Sequence, residues 1–137
     1  MKIPECIKEV FRRWNIRYAI LFGSYAEGVT TPMSDVDIAV KAGRRLSFSE
    51  IGLMISELEE CLNKTVDLVI LDIAPPAITW EALVKGTPIY FRGSKEKREY
   101  FWDKSEIIDK IADLEPLLKL IYGEARLAIS RIASKSS

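Results

Sequence analysis

Residues 21–40 read LFGSYAEGVTTPMSDVDIAV, and this stretch decides the fold that we expect. It begins inside an apolar run from Arg17 to Phe22, which predicts a buried strand that is bounded by Gly23. It ends inside a second predicted strand, Asp35 to Lys41, where apolar and polar residues alternate. The stretch therefore predicts a strand, a glycine turn and a second strand that begins with acidic residues.

The acidic residues predict a metal site. Successive strand residues point to opposite faces, so Asp35 and Asp37 would project from one face and repel each other unless a divalent cation lay between them. A third acid, Asp67, interrupts the otherwise apolar strand that we predict over Thr65 to Leu71, and as a buried acid it would need a partner. If the two strands are neighbours, the three carboxylates could hold two metal ions about 3.5–4 Å apart.

The glycine turn predicts a phosphate site beside these acids. Gly23 has no side chain, so a phosphate can approach its backbone; Ser24 adds a hydroxyl, and a helical turn after it would present free N–H groups. Each feature alone has an ordinary explanation, since Gly-Ser can be a simple turn, Asp-x-Asp a solvated edge, and Asp67 an acid satisfied by backbone amides. Together they favour a site for a nucleoside triphosphate with metal, although the stretch is neither a Walker A loop nor a G-x-G-x-x-G fingerprint.

The remainder of the chain predicts helices packed on a small sheet. Pro4 opens an amphipathic helix, and the pair Ser47 and Glu50 forms a capping box that begins another. A short helix begins at Pro75-Pro76 and ends near Gly86, and Pro88 to Phe91 is a candidate edge strand. The alternation of helices and strands indicates an α/β (α+β) fold.

The C-terminal part predicts a helical extension. The composition becomes charged at Arg92 to Glu99, which suggests a domain over residues 1–94, a helical extension over residues 95–133 that packs on it or on a partner, and a disordered tail over residues 134–137. Pro116 should kink or split the helix. A narrow apolar seam would either pack on the domain or join two chains, including copies in a homo-oligomer, and consists of Ile107, Ile111, Leu114, Leu118, Ile121, Ala125, Ala128 and Ile132.

Composition excludes several classes of site. The chain has 20 basic and 20 acidic residues, so a template-binding or other nucleic-acid-binding role is not expected. It has no histidine and two cysteines, Cys6 and Cys61, which excludes histidine-based catalysis and four-thiolate zinc sites and leaves oxygen ligands and Mg²⁺. No signal peptide or membrane-spanning segment is visible, so we expect a cytoplasmic protein in which both cysteines are reduced core residues.

Gly23-Ser24, followed by Asp35-Val36-Asp37 and by Asp67 on a later strand, resembles the minimal nucleotidyltransferases (MNT) of the DNA polymerase beta superfamily over about residues 15–91. The resemblance implies a small mixed sheet flanked by helices, and transfer of a nucleoside monophosphate, AMP from ATP, with two Mg²⁺ ions. It implies that Asp35, Asp37 and Asp67 are the catalytic, metal-binding residues, and that Gly23 and Ser24 bind the triphosphate.

A softer resemblance, in GTPIYFRG and the helical segment after it, is to the MNT antitoxins that are paired with HEPN ribonuclease toxins. It implies a toxin hydroxyl as the acceptor. Glu27 stands where this family often has arginine, which puts a phosphate role there in doubt. An antitoxin that acts by binding alone, with weak or no catalysis, and a nucleotidyltransferase that modifies a small molecule are the alternatives.

Overall fold

The computed structural model describes residues 2–28 and 35–122. Within them the helices are α1 (Glu5–Arg13), α2 (Ser24–Glu27), α3 (Phe48–Leu62), α4 (Pro76–Trp80) and α5 (Ser94–Tyr122), and the strands are β1 (Tyr18–Phe22), β2 (Val36–Lys41), β3 (Val66–Ile70) and β4 (Thr87–Phe91). A 3₁₀ turn, Leu71–Ile73, follows β3, and a π-helical turn, Glu81–Lys85, continues α4. None of these helices is long and apolar enough to cross a membrane.

The four strands form one mixed sheet in the order β3-β2-β1-β4. β1 is antiparallel to both β2 and β4, whereas β2 and β3 are parallel. The sequence-based prediction of a small mixed sheet flanked by helices is therefore confirmed, and β4 lies at an edge as expected. β2 begins one residue later than predicted, so that Asp35 directly precedes the strand.

Each face of the sheet packs against different helices. On one face, alternate strand residues such as Leu21 and Ile38 contact the apolar sides of α1 and α3. The capping box predicted for α3 is present, because Ser47 Oγ accepts from the Glu50 amide and Glu50 Oε1 accepts from the Ser47 amide. On the other face, which we call the α4–α5 face, the strands and helices bury Tyr18, Ile20, Phe22, Ala39, Leu71, Ala82, Leu83, Tyr100 and Ile107.

Helix α5 is anchored to the sheet at the ends of β1 and β2 that lie far from Gly23. Arg17 Nη1 donates to Glu99 at 2.8 Å, Tyr18 Oη donates to Asp103 at 2.7 Å, and Lys41 Nζ lies 3.3 Å from Asp103. Burial in this network raises the pKa of the Tyr18 hydroxyl, and the Asp103 carboxylate reinforces the shift. This part of α5 is therefore fixed to the strands.

The predicted seam begins as an intramolecular contact. Ile107 is buried and Ile111 packs beside it on the α4–α5 face. Pro116 does not split the helix, which continues to Tyr122; proline removes one backbone donor, and the rest of the hydrogen-bonded ladder remains. The side chains of Leu118 and Ile121, the later seam positions and the 134–137 tail lie outside the described residues, and the division at residue 94 stays a prediction.

The expectation of two reduced core cysteines is wrong. Cys6 on α1 and Cys61 on α3 form a disulfide, with their Cα atoms 6.1 Å apart, and Cys6 lies on the exposed side of its helix. Both residues do lie on helices, as predicted, but the sequence does not reveal that packing places these two helix positions side by side. The bond joins the two helices that cover one face of the sheet.

We expect the disulfide to stabilise the fold by restricting the unfolded chain. Replacing both residues, Cys6→Ser with Cys61→Ser, should lower the free energy of unfolding by about 2–4 kcal/mol, because the bond spans 55 residues. Urea unfolding with and without a thiol reductant measures this. The reductant should destabilise the wild type and leave the double variant unchanged; equal sensitivity of both would contradict the prediction.

Candidate active site

The candidate active site lies at the edge of the sheet where β1 ends and where β2 and β3 begin. Gly23 follows β1, and the last residue of that strand, Phe22, is opposite Asp37 in the antiparallel register. In the parallel register Asp37 is opposite Asp67. The strand order therefore brings the glycine turn and two of the predicted acids to one place.

Asp37 and Asp67 form a close carboxylate pair on the α4–α5 face. Burial raises the pKa of Asp37, and repulsion from Asp67 and then from Asp35 raises it further. A hydrogen bond between the Asp37 and Asp67 side chains favours the protonated form of Asp37 in the same way. Among residues 2–28 and 35–122, no lysine or arginine forms an ion pair with any of the three acids. The pair is thus an unneutralised negative centre.

The third acid stands apart from this pair. Asp35 is exposed and precedes β2. Its charge raises the pKa of Asp37 less than the charge of Asp67 does. In the described part of the chain, no three Cys, Asp or Glu side chains converge tightly enough to form a metal site by themselves. The expectation that Asp67 is buried is wrong, because β3 is an edge strand and leaves that side chain exposed.

Gly23 lies in close contact with Asp37. Its backbone has φ of +70°, and a Cβ built on it would overlap Oδ2 of Asp37. Helix α2 begins directly after it at Ser24, as predicted, and Tyr25 and Ala26 pack against the core. The turn therefore carries backbone amides past the carboxylate pair with no side chain between them. The side chain of Glu27 and residues 29–34 lie outside the described part of the chain.

Sequence reasoning did not predict the contact of Trp80 with Lys85, which precedes Gly86 beside the end of β1. Trp80 packs on the α4–α5 face, and Lys85 Nζ lies 5.5 Å from the centre of its ring. Residues five apart would not meet on an α-helix, where they differ by about 140° around the axis. They meet here because residues 81–85 form a π-helical turn, which the sequence does not signal.

We expect the charge of Asp37 to cost stability. Because its pKa is raised in the folded protein, Asp37→Asn should stabilise the protein above the unfolded-state pKa, near 4, and have little effect below it. Thermal unfolding in EDTA from pH 4 to pH 8 measures this difference. Asp109→Asn, at an exposed position of α5, is the control and should show no such trend. A lower melting temperature for Asp37→Asn at pH 8 would refute the prediction.

The two glycines that flank α2, Gly23 and Gly28, allow the cost of the Asp37 contact to be measured separately from the cost of backbone strain. Gly23 and Gly28 both have positive φ, but a Cβ on Gly28 would meet nothing within 4 Å. Gly28→Ala should cost about 1–2 kcal/mol from the backbone alone, whereas Gly23→Ala should cost at least about 1 kcal/mol more because it also displaces Asp37. Urea unfolding of both variants checks this, and equal losses would show that the Asp37 contact has no weight.

Comparisons with known proteins bear on the family and the fold. The family model described as "Polymerase beta, Nucleotidyltransferase" matches residues 5–95. Two proteins of Methanocaldococcus jannaschii, each named "putative protein adenylyltransferase", are similar to the chain. One is 38% identical in an alignment of 79 residues that covers 50% of this chain and 79% of the relative. The other is 31% identical in an alignment of 77 residues that covers 56% of this chain and 83% of the relative.

Solved structures show the same fold. A chain from a crystal structure of a toxin–antitoxin with AMP-PNP superposes with a TM-score of 0.73 at 24% identity. The match covers 85% of this chain and 93% of the chain in that structure. The tri-AMPylated HEPN toxin of Shewanella oneidensis in complex with MNT antitoxin gives 0.64 at 22% identity and covers 82% and 87%. With the family model matched from α1 into the start of α5, the chain belongs to the polymerase beta-type nucleotidyltransferases.

Proposed function

We propose that this nucleotidyltransferase moves AMP from ATP to a hydroxyl group of a partner protein, and that the partner is a HEPN-type toxin. The observation that carries the proposal is the Asp37–Asp67 pair beside the Gly23–Ser24 turn. The two carboxylates form an anionic centre that attracts a divalent cation. Beside them, the backbone at Gly23 carries no side chain, so a triphosphate can approach it.

The carboxylates fit Mg²⁺. Two close acids, one with a raised pKa and neither with a cationic partner among the described residues, are the oxygen donors that a hard cation prefers. Mg²⁺ usually takes one or two carboxylates and completes its shell with substrate phosphates and water, so a site that is only part-formed in the protein suits it. Asp37 and Asp67 would hold the ion, with Asp35 at its margin. Bound there, Mg²⁺ supplies charge stabilisation at the reacting phosphate.

The turn would hold the triphosphate. The backbone N–H groups at the start of α2 and the Ser24 hydroxyl are donors for phosphate oxygens, and Gly23 leaves the approach open. In the transfer, the acceptor oxygen forms a bond to the α-phosphorus, and the bond from that phosphorus to the bridging oxygen of the leaving group breaks. The products are the AMP ester and pyrophosphate, and Asp67 receives the hydroxyl proton. Because Asp67 is exposed, an incoming acceptor could reach it, which supports this role.

A protein acceptor has separate support. The similar proteins of M. jannaschii carry the name of protein adenylyltransferases, and one structural neighbour is an antitoxin in complex with an AMPylated toxin. The chain itself has no net charge, which disfavours a nucleic-acid acceptor. Helix α5 also presents exposed apolar side chains, among them Trp102 and Leu120, on which a protein could dock.

Neutralisation by binding alone is the second candidate. It is favoured by the sequence at position 27, four residues after Gly23, where Glu27 stands in place of the arginine that is common in the resembling family and would repel a triphosphate bound nearby. In that case the partner would be silenced without any covalent change.

The test is intact-mass spectrometry of a candidate HEPN-type partner that is co-expressed with this chain. Wild type should add the mass of one or more AMP groups and abolish the ribonuclease activity of the partner. Asp35→Asn with Asp37→Asn should reduce transfer by at least about 10³-fold, because both substitutions remove charge that the metal needs. Glu5→Gln with Glu60→Gln, two exposed acids on α1 and α3, which cover the opposite face of the sheet, is the matched control and should transfer normally.

The two candidates give opposite results in this experiment. If the wild type silences the partner while the partner's mass stays unchanged, binding alone is the function and the transfer proposal is wrong. If the partner is neither bound nor modified, the HEPN assignment is wrong, and small-molecule hydroxyls are the next acceptors to assay.

A further inference from the structure

We propose that Lys85 is a phosphate-binding residue of this site and that Trp80 holds its ammonium group in place. The inference rests on the proposed function and deepens it, since it names a cationic residue for the nucleotide. It starts from the charge of the site. Three acids gather at this edge without a basic partner among the described residues, and the substrate would add a polyphosphate anion. A cation from the protein would offset part of that charge.

The fold places Lys85 at the correct end of the sheet. The chain runs from Lys85 through Gly86 into β4, whose first residue pairs with Leu21, two residues before Gly23. Gly86 lies against β1 so closely that a Cβ there would be 3.0 Å from the Leu21 carbonyl oxygen. Lys85 is thereby held beside the end of the strand from which the phosphate turn departs.

The fold also places Lys85 on the correct face. The π-helical turn packs on the α4–α5 face through Ala82 and Leu83, and this is the face that carries Asp37 and Asp67. Lys64 also lies near this edge, over the ring of Tyr25. It is two residues before Val66, which faces α1 and α3, so the alternation along the strand assigns Lys64 to that other face. Lys41 shares the face of the acids, but pairs with Asp103 at the opposite end of the sheet.

The contacts of Lys85 leave its charge available. Its Nζ lies 5.5 Å from the centre of the Trp80 ring and 3.9 Å from Glu81 Oε1, at the limit of an ion pair. The Lys85 side chain is 19% exposed while that of Glu81 is 42% exposed, so the lysine is confined and its acidic neighbour is solvated. A π-helical turn has weaker internal packing than an α-helix and occurs often at functional sites. Here it brings the lysine over the tryptophan, which fixes where the ammonium group points.

The test is calorimetric titration with α,β-methylene-ATP in the presence of MgCl₂. In this analogue a methylene group replaces the oxygen between the α- and β-phosphorus atoms, so a bound molecule is not cleaved at the α-phosphorus. Lys85→Gln should weaken binding about tenfold, and Lys85→Arg, which keeps the charge, should stay within about threefold of wild type. Lys97→Gln is the matched control. Lys97 lies over the ring of Phe91 at 6.0 Å, after the other end of β4, and its loss should leave affinity unchanged.

A second readout separates phosphate binding from a structural role. Melting temperatures without nucleotide should agree for wild type and Lys85→Gln, because the Lys85–Glu81 pair is weak. If Lys85→Gln does not fold, Lys85→Met, which is also unbranched and uncharged, takes its place in the titration. Glu81→Gln removes the ion pair but not the lysine, so it should bind the analogue at least as tightly as wild type.

The outcomes are distinct. Equal affinities of wild type and Lys85→Gln overturn the inference and leave the proposed function intact, and so does an equal loss in Glu81→Gln and Lys85→Gln. If wild type binds no analogue, both are wrong. A tenfold loss in Lys85→Gln that Lys85→Arg and Lys97→Gln do not show, in a protein that adds no mass to its partner, supports the inference while it refutes the protein acceptor.

Discussion

The parallel pairing of β2 with β3 is the constraint on which the site depends. Val36 N donates to Thr65 O at 2.9 Å where the two strands begin, and from that bond the register places Asp37 opposite Asp67. A shift of one residue would turn Asp67 to the opposite face. Parallel strands cannot be joined by a tight turn, and here the connection is α3, whose capping box fixes where it begins. The geometry of two acidic side chains thus depends on the packing of a whole helix on the other face.

The two faces of the sheet have different roles. The face that carries α1 and α3 is apolar throughout and stabilises the fold. The α4–α5 face is apolar at its centre, but has charged groups at both ends: the acids at one, and the Tyr18, Lys41 and Asp103 network at the other. The part-buried network holds α5 to the strands, and the acids at the opposite edge are exposed or half-buried. The apolar centre of this face separates the polar network that anchors α5 from the acids of the candidate site.

Local patterns predict the strands and the capped helix because each is determined by neighbouring residues. The apolar run before Gly23, the alternation after Asp35 and the pair Ser47 and Glu50 all have their structural counterparts. One part of the site is predictable from these local patterns. Gly23 and Asp37 meet because β1 ends just before Gly23, β2 begins just before Asp37, and the two strands pair. The burial of Asp67 was mispredicted because the sequence of a strand does not tell whether it lies at an edge.

Features that arise from contacts between distant elements could not be predicted. The Cys6–Cys61 bond depends on how α1 and α3 cross, and the meeting of Trp80 with Lys85 depends on one widened helical turn. The closeness of Gly23 to Asp37 adds a reason for glycine that the sequence did not contain, since the residue is needed even before any phosphate is bound. In each case the missing information is tertiary geometry.

The disulfide has a consequence for the lifetime of the protein in a cell. It lies between helices that face away from the acids, so its reduction would leave the arrangement of the active-site residues in place. Reduction would act on the unfolded population instead: a loss of about 2–4 kcal/mol raises the unfolded fraction roughly 30- to 1,000-fold. Since proteases degrade unfolded chains, the thiol balance of the compartment would set the turnover of the protein, and through turnover its abundance.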